Sequence, residues 1–307
     1  MVCYHPLKGY KARSPSGNGG YKIVFNVRDG YADKPQQVPC GQCQGCRLER
    51  SRQWAVRCMH EAKLHDENCF ITLTYEDSKL PDGGTLVKSD FQKFMKRLRK
   101  YVDATSGKKI RFYMAGEYGD TFGRPHYHVC IFGYDFPDKV PYTRSGAGDV
   151  IYISPILDRI WDMGIATIGE VTFESAAYTA RYVMKKVTGK AAVRHYEVYD
   201  IETGVIFYQE PEYNDMSRGS GIGKGWLDKF QSDVYPRDFV LVNGVKARPP
   251  RFYDNKFEII DPELFAKMKR KRVRNARKHA DNNTPDRLRV REEVALAKVR
   301  NLKRSVG

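Results

Sequence analysis

The sequence has no long apolar run. A membrane-spanning helix needs about 18 or more consecutive apolar residues, and no stretch of the 307 residues approaches that length. The first eight residues also lack the apolar segment of a secretory signal. We therefore expect a soluble, intracellular protein with no membrane partner.

Two further absences exclude other classes of protein. Seven cysteines are an odd number, and three of them are clustered, so a disulfide framework is not expected. The glycine-rich stretch 219–225 superficially resembles a phosphate-binding loop, but Arg218 stands where the first glycine is required and Gly225 where Ser or Thr is required. We find no internal repeat and no motif of an ATPase or helicase motor.

Acidic residues are too few to balance the basic ones. Lys and Arg number 53 against 37 Asp and Glu, which gives a net charge of +16. Residues 267–307 hold 15 basic and 4 acidic residues, whereas residues 1–266 hold 38 and 33. A basic tail on a nearly balanced body indicates a nucleic-acid-binding arm, although a solvated charged helix would have the same composition.

The N-terminal 46 residues contain a cluster of cysteines. Cys40, Cys43 and Cys46 form a C-x-x-C-x-x-C pattern. Thiolates bind zinc tetrahedrally, so the pattern predicts a structural zinc site with Cys3 as the fourth ligand and His5 as the reserve. Iron–sulfur ligation and three reduced thiols in a loop are the alternatives.

Residues 123–132 predict a strand that carries two histidines. Successive side chains of a strand point to opposite faces, so His126 and His128 share one face, with Cα atoms about 6–7 Å apart. Two imidazoles at this spacing can converge on one divalent ion. Histidine pairs of this kind are also common in ordinary cores and surfaces.

The preceding strand supplies a carboxylate. Residues 110–118 predict a strand, and the short loop after it predicts an antiparallel hairpin with the histidine strand. The hairpin would bring Glu117 beside the two histidines as a third ligand, with Asp120 as the reserve.

Residues 174–187 predict a helix with two unlike faces. One face is aliphatic and consists of Ala176, Ala180, Val183 and Val187. The opposite face combines two tyrosines with two lysines, namely Tyr178, Tyr182, Lys185 and Lys186. Packing of the rings on a sheet, with solvated lysines, is the alternative to a functional face.

Together, the histidine strand and the tyrosine helix resemble the HUH endonuclease superfamily, in particular the rolling-circle replication initiators with paired tyrosines. Three further segments narrow the resemblance to the replication initiators of the gokushovirus branch of the microviruses: 38–47 (VPCGQCQGCR), 116–119 (GEYG) and 216–223 (MSRGSGIG). The resemblance extends from about Met1 to about Tyr253.

The resemblance implies a function. A site-specific endonuclease would nick single-stranded DNA at the viral origin of the double-stranded replicative form, stay attached through a 5′-phosphotyrosine, leave a 3′-hydroxyl for synthesis and rejoin the displaced circle. It implies Tyr178 and Tyr182 as nucleophiles, Lys185 and Lys186 as supporting cations, and Mg²⁺ or Mn²⁺ on His126, His128 and Glu117. Host helicase and polymerase would be partners in the bacterial cytoplasm.

The expected fold is α+β: an HUH fold with a central antiparallel sheet and helices packed on one side of it. Four segments are predicted. They are a Cys-rich element with a helix (1–66), the endonuclease core (67–190), a β-rich extension (191–266) and a basic helical tail (267–307).

Other functions fit parts of the sequence. A single-strand DNA transposase or relaxase of the same superfamily would use similar motifs, although one tyrosine usually suffices in a transposase. A non-enzymatic DNA-binding protein would need only the tail. A zinc hydrolase would need more ligands downstream, where the only histidines are His195 and His279.

Overall fold

The computed structural model describes residues 3–15, 21–182, 186–187, 189, 191–200 and 203–301, apart from the side chains of Tyr182 and residues 299–301. The chain forms two compact units: a terminal unit of residues 1–50 and 266–303, and a central unit that includes residues 51–265. The four predicted segments stay a prediction, but their first and last members contribute to the same unit. Across the described ranges, no helix combines the length and apolarity needed to cross a membrane.

The strands in chain order are β1 (Leu7–Pro15), β2 (Tyr21–Val24), β3 (Gly30–Val38), β4 (Asn68–Thr74), β5 (Arg111–Tyr118), β6 (Pro125–Phe132), β7 (Val140–Arg144), β8 (Val150–Ile153), β9 (Ala166–Gly169), β10 (Glu197–Tyr199), β11 (Ile206–Tyr208), β12 (Tyr213–Met216), β13 (Val240–Val242) and β14 (Val245–Ala247). The helices are α1 (Gln44–Ala62), α2 (Lys88–Ser106), α3 (Pro155–Trp161), α4 (Phe173–Tyr182), α5 (Ala191–His195), α6 (Lys224–Val234), α7 (Arg251–Ile260), α8 (Pro262–Arg277) and α9 (Pro285–Asn301).

The terminal unit contains a three-stranded antiparallel sheet in the order β2-β1-β3. The basic tail of the sequence forms α8 and α9, and the break between them at Asn282–Pro285 is where the polar and proline residues predict it. His5 lies 2.7 Å from Glu292 of α9, so the two ends of the chain meet within this unit. The predicted Cys-rich element is therefore largely β-structure.

The central unit is built on a seven-stranded antiparallel sheet in the order β12-β5-β6-β4-β9-β8-β7. The α+β class and the central antiparallel sheet are confirmed. The sequence pattern of residues 69–187 predicts the order strand, helix, strand, strand, helix, strand, helix, and the structure has β4, α2, β5, β6, α3, β9 and α4 in this order. The β7–β8 hairpin was missed because β7 is exposed throughout and has no alternation of apolar and polar residues.

Helices cover both faces of this sheet, so the expectation that they lie on one side is wrong. Alternate residues of β4 and β6, such as Ile71 and Val129, pack with the apolar stripes of α2 and α3. On the opposite face, Phe70 and Cys130 pack with α4 and with the part of α1 that belongs to this unit. Strands β4 and β6 are therefore apolar on both faces at one end, which is the pattern of a doubly covered sheet.

The second helical layer covers only part of its face. Beyond Phe70 and Cys130, the same face carries Thr72, His126 and His128, which are polar. A helix packs on a sheet by burying apolar surface, and these polar side chains offer little of it. The helical layer therefore ends here, and this part of the face is open. The candidate functional site lies in this region.

Two small hairpins match their predicted turns. Strands β10 and β11 pair across the segment that includes Gly204. Strands β13 and β14 pair across Asn243 and Gly244, whose φ angles of 47° and 77° suit a type I′ turn.

Candidate active site

The β5–β6 hairpin places the candidate ligands on one face of the sheet. In its register Glu117 is opposite His126, and on the other side of β6 Thr72 of β4 is opposite His128. Cross-strand partners share a face, so the predicted hairpin does bring Glu117 and both histidines together. The two imidazole rings are parallel, with centroids 6.3 Å apart.

One hydrogen bond sets the orientation of His126. Its Nδ1 lies 2.6 Å from the carbonyl oxygen of Arg124, and a carbonyl only accepts, so Nδ1 carries the proton. The Nε2 lone pair is then the basic atom of the ring. Burial, followed by the nearby His128, lowers the pKa of His126 and favours the neutral imidazole.

His128 is held on both sides of its ring. Its Nε2 lies 2.9 Å from Oε1 of Glu117, and its Nδ1 lies 3.0 Å from the hydroxyl of Thr72. Glu117 and His128 are both buried, at 4% and 6% exposure. A buried carboxylate and an imidazole in this arrangement could serve as metal ligands, since their oxygen and nitrogen donors are already desolvated and oriented.

Helix α4 lays a tyrosine against this pair. Ala176 and Ala180 are buried against the sheet, as the aliphatic stripe predicts. The ring of Tyr178 meets the ring of His128 edge to face, with centroids 5.3 Å apart. Ser51 fixes α4 on α1 by donating a hydrogen bond of 2.7 Å to the carbonyl of Ala177.

The remaining predicted residues are only partly described. Tyr182 ends α4 one helical turn after Tyr178, but its side chain lies outside the described residues, as does Lys185. Lys186 is described and exposed. Asp120 is exposed and lines the groove.

Sequence reasoning missed Thr72 and Arg181. Residues 69–75 predict a strand beside the histidine strand, with an ordinary core strand as the alternative, but the hydroxyl of Thr72 was given no role, and it contacts the imidazole of His128. Arg181 is half-buried, and burial lowers its pKa, an effect that Tyr178 opposes because the two side chains interact electrostatically. The one sequence signal for a role of Arg181 is its position next to the tyrosine face of the helix.

The site opens into a groove of about 910 Å³ that runs from the histidines across β9 to β8. Phe122, at the tip of the β5–β6 loop, is 85% exposed and stands on its rim. Gly119 keeps the His126 side of the groove open, because a Cβ there would lie 3.1 Å from the imidazole ring. The groove is lined by both polar and apolar side chains, with the exposed ring of Phe122 among them.

A second cluster lies in the terminal unit. The sulfur atoms of Cys3, Cys40, Cys43 and Cys46 all lie within 4.8 Å of one another, so Cys3 is the fourth member and not His5. Among the described residues, these four are the only group of three or more His, Cys, Asp or Glu ligand atoms this close together. The four thiols could hold a metal ion such as zinc.

The surroundings of the sulfur atoms fit a thiolate cluster. Backbone N–H groups of Tyr4, Cys40 and Cys43 point at the sulfurs of Cys43, Cys3 and Cys40, at 3.2–3.3 Å. Burial opposes ionisation of Cys43, but hydrogen bonds from the backbone at Tyr4 and Cys46 lower its pKa to about 6. The sulfurs of Cys3 and Cys43 are 3.9 Å apart, close to the roughly 3.8 Å edge of a tetrahedron with 2.3 Å zinc–sulfur bonds.

The fold and the site define an α+β protein in which two histidines, a carboxylate and a helical tyrosine face one open groove. A family model for replication-associated proteins of the ORF2 type matches residues 68–187, from β4 to the segment after α4. No solved structure matches the chain.

Three relatives match over long stretches. The replication-associated protein ORF2 of Spiroplasma virus 4 is 33% identical over 273 residues, covering 84% of this chain and 81% of that protein. The replication-associated protein VP4 of Bdellovibrio phage phiMH2K is 32% identical over 271 residues, covering 86% and 80%. The replication-associated protein ORF4 of Chlamydia phage 1 is 39% identical over 173 residues, covering 54% and 43%. The chain belongs to this family of microvirus replication-associated proteins, of the replication-initiator type.

Proposed function

We propose that this protein is an HUH-type endonuclease that starts rolling-circle replication by nicking single-stranded DNA at the viral origin. The contact between the Tyr178 ring and the His128 ring carries the proposal, because it sets a nucleophile beside a candidate metal-binding pair. The groove beside them has a volume of about 910 Å³, and its polar and apolar lining supports binding of a DNA strand through both its phosphates and its bases.

The donor set fits a divalent cation. His126 has its Nε2 lone pair available for coordination, and the carboxylate of Glu117 lies against Nε2 of His128. Mg²⁺ or Mn²⁺ bound there would neutralise a phosphate oxygen and orient the scissile group. His126, His128 and Glu117 would hold the ion, and Thr72 would orient His128.

A tyrosine of α4 attacks the scissile phosphodiester. Its Oη forms a bond to phosphorus and gives up its proton, while the bond from phosphorus to the 3′-oxygen breaks and that oxygen takes a proton. The products are a 5′-phosphotyrosine and a 3′-hydroxyl. The new ester keeps the bond energy, so the reverse attack by a 3′-hydroxyl rejoins the DNA without ATP.

Cations near the tyrosine assist the step. A free tyrosine has a pKa of about 10 and ionises little at neutral pH, so a positive neighbour promotes attack and steadies the charge that develops. Lys185 and Lys186 keep this proposed role, and Arg181 joins them because it interacts with Tyr178.

The tyrosine pair, Tyr178 and Tyr182, supports an alternating mechanism. One tyrosine holds the 5′ end while the other cuts the regenerated origin, which releases a rejoined circle. Host helicase and polymerase would open and extend the duplex, in the cytoplasm of the infected bacterium. The cysteine cluster would hold a structural zinc ion.

The direct experiment incubates the full chain with 5′- or 3′-labelled single-stranded origin DNA, with and without Mn²⁺. We expect a metal-dependent covalent adduct at the 5′ phosphate of the downstream fragment and a free 3′-hydroxyl on the upstream fragment. Tight DNA binding with no adduct under any metal would instead support a non-enzymatic DNA-binding protein.

A further inference from the structure

The net positive charge of the protein lies almost entirely outside the central unit. Residues 51–265 contain 30 basic and 30 acidic residues, so the unit with the proposed nuclease site is neutral overall. Residues 1–50 and 266–303 contain 22 basic and 7 acidic residues. DNA affinity depends largely on phosphate neutralisation, so the terminal unit has the composition of the principal DNA-binding part.

One face of the small sheet in this unit exposes aromatic rings. Tyr21, Ile23 and Phe25 alternate along β2 and its end, so they share a face, and Tyr21 and Phe25 are 48% and 59% exposed. Gly9 of β1 lies beneath Ile23 and Phe25, since a Cβ at Gly9 would lie 2.5 and 3.7 Å from these two side chains. Lys11 of β1 holds its ammonium group 3.8 Å from the centre of the Tyr21 ring.

The cysteine cluster closes the open end of this sheet. Leu7 and Val38 pair at the ends of β1 and β3, and just beyond them the backbone N–H of Cys40 lies 3.2 Å from the sulfur of Cys3. A sheet of only three strands, whose residues are mostly exposed, has little core of its own, so a link of this kind helps to fix the position of its exposed rings.

We propose that this face, which we call the Tyr21 platform (Gly9, Lys11, Tyr21, Ile23 and Phe25), is a second DNA-binding site that takes single-stranded DNA. Exposed rings stack on bases whose faces are free, and a duplex hides those faces between its own base pairs. Tyr21 and Phe25 are about 13 Å apart along the strand, enough for a short run of bases with Ile23 between them. The cation of Lys11 lies over one face of the Tyr21 ring, so a base would stack on the other face, with a phosphate within reach of the ammonium group.

This inference rests on the proposed function only for the identity of the substrate as DNA. The platform is made of residues other than those of the groove, so it binds strand without cutting it. Its role would be to hold a single strand while the groove acts on the origin.

The test uses the full chain and a thymidine oligonucleotide without origin sequence, with binding measured by fluorescence anisotropy. The double variant Tyr21→Ala/Phe25→Ala should weaken binding by about tenfold or more, because each base–aromatic stack is worth a substantial part of the affinity. Its salt dependence should stay the same, since no phosphate contact is lost. Lys11→Gln should instead lower the salt slope by about 0.7, the amount for one phosphate of a single strand.

The matched control is Tyr199→Ala/Tyr208→Ala, which removes two rings that are 62% and 65% exposed in the central unit. We expect it to bind like the unchanged protein. Covalent adduct formation with saturating origin oligonucleotide should persist in both double variants, so a failure of the platform and a failure of the nuclease are distinguishable. Thermal unfolding and metal content should also match the unchanged protein.

Three results would overturn the proposal. Unchanged affinity of Tyr21→Ala/Phe25→Ala would remove the platform. An equal loss of affinity in the control variant Tyr199→Ala/Tyr208→Ala would show that removal of any two exposed rings weakens binding. An equal loss of affinity for a duplex of the same length would mean that the face does not read unstacked bases.

Discussion

The hydroxyl of Thr72 can pair with Nδ1 of His128 whether or not that nitrogen carries the proton. In the present arrangement the carboxylate of Glu117 accepts from Nε2, so Nδ1 accepts from the Thr72 hydroxyl. With a divalent ion at Nε2, Nδ1 must carry the proton instead and donate it to the same hydroxyl. A hydroxyl can play both roles, which is why threonine suits this position.

Thr72→Val should therefore raise the Mn²⁺ concentration needed for half-maximal adduct formation by about 10- to 100-fold, the usual effect of losing a partner of a metal ligand. Thr74→Val is the matched control, because the hydroxyl of Thr74 donates to the carbonyl of Ile165 and not to a histidine. A metal dependence of Thr72→Val equal to that of the control would contradict the role of Thr72.

The tyrosine pair gives a second prediction for single residues. Tyr178→Phe and Tyr182→Phe should each retain some adduct with single-stranded origin DNA, because one hydroxyl remains, and should fail at the second transfer. The double variant should bind DNA without forming an adduct. Peptide mapping of the DNA-linked residue is the measurement: a link to any other position would refute the assignment, and a link to only one of them would indicate a single-tyrosine nickase.

A strand or helix that buries one face can be predicted from the local repeat of its apolar residues. Strands β4, β5 and β6 and helix α2 were predicted within a few residues, since each has a regular apolar repeat. The helix predicted over 174–187 corresponds to α4, but residues 186 and 187 are not helical, and residues 183–185 lie outside the described part of the chain. The platform strand β2 was not predicted, because it has only four residues and none of them is fully buried. The strand of residues 69–75 was predicted beside the histidine strand, but the contact of Thr72 with His128 depends on the register between β4 and β6, which no local pattern gives.

Helices α1, α6 and α7 meet around a buried histidine. His60 of α1 is 4% exposed, its ring stacks on Trp226 of α6 at 3.5 Å, and its Nδ1 lies 3.0 Å from the hydroxyl of Tyr253 of α7. Burial, followed by the charge of Lys63, lowers the pKa of His60 to about 3. The imidazole is therefore neutral in the folded protein at all moderate pH values.

This depressed pKa makes stability fall in acid. Below about pH 6.5 the unfolded chain binds a proton at His60 that the folded chain does not, so the free energy of unfolding decreases as the pH falls from 6.5 towards 3. Between pH 7 and pH 5 we expect His60 to account for about 1–2 kcal/mol of this loss. Urea unfolding of His60→Gln at both pH values should show a correspondingly smaller loss; an identical loss would exclude His60 as the cause.

At the scale of the whole molecule, the cysteine cluster brings Cys3 together with Cys40, Cys43 and Cys46. These two segments are separated by the three strands of the small sheet. Purified protein should contain about one zinc ion that resists mild chelation, and Cys40→Ser should lose it together with stability of the terminal unit. Metal analysis is the measurement. Soluble, active protein without zinc or another metal would show that four thiols alone maintain this end of the sheet.

The charge of each unit can be counted from the sequence. The packing of the two ends of the chain into one unit could not be predicted from it. The sequence predicted the tail as a separate arm, whereas Met268 of α8 and Leu288 of α9 are buried in the structure. Removal of residues 267–307 would therefore also uncover apolar surface of the terminal unit. Substitution of surface charges is the cleaner test of DNA binding.

Lys271, Arg274 and Lys278 lie on one exposed face of α8 and the turn after it, and their combined change to Gln should lower affinity for single-stranded DNA and reduce the salt slope by about 2. The matched control changes Lys93, Lys96 and Lys100 of α2, which have the same spacing, are equally exposed, and lie in the neutral central unit. If DNA affinity resides in the terminal unit, the control should retain nearly the full slope. An equal reduction in both variants would show that phosphate contacts are spread over the whole protein, and the neutrality of the central unit would then have no bearing on where DNA binds.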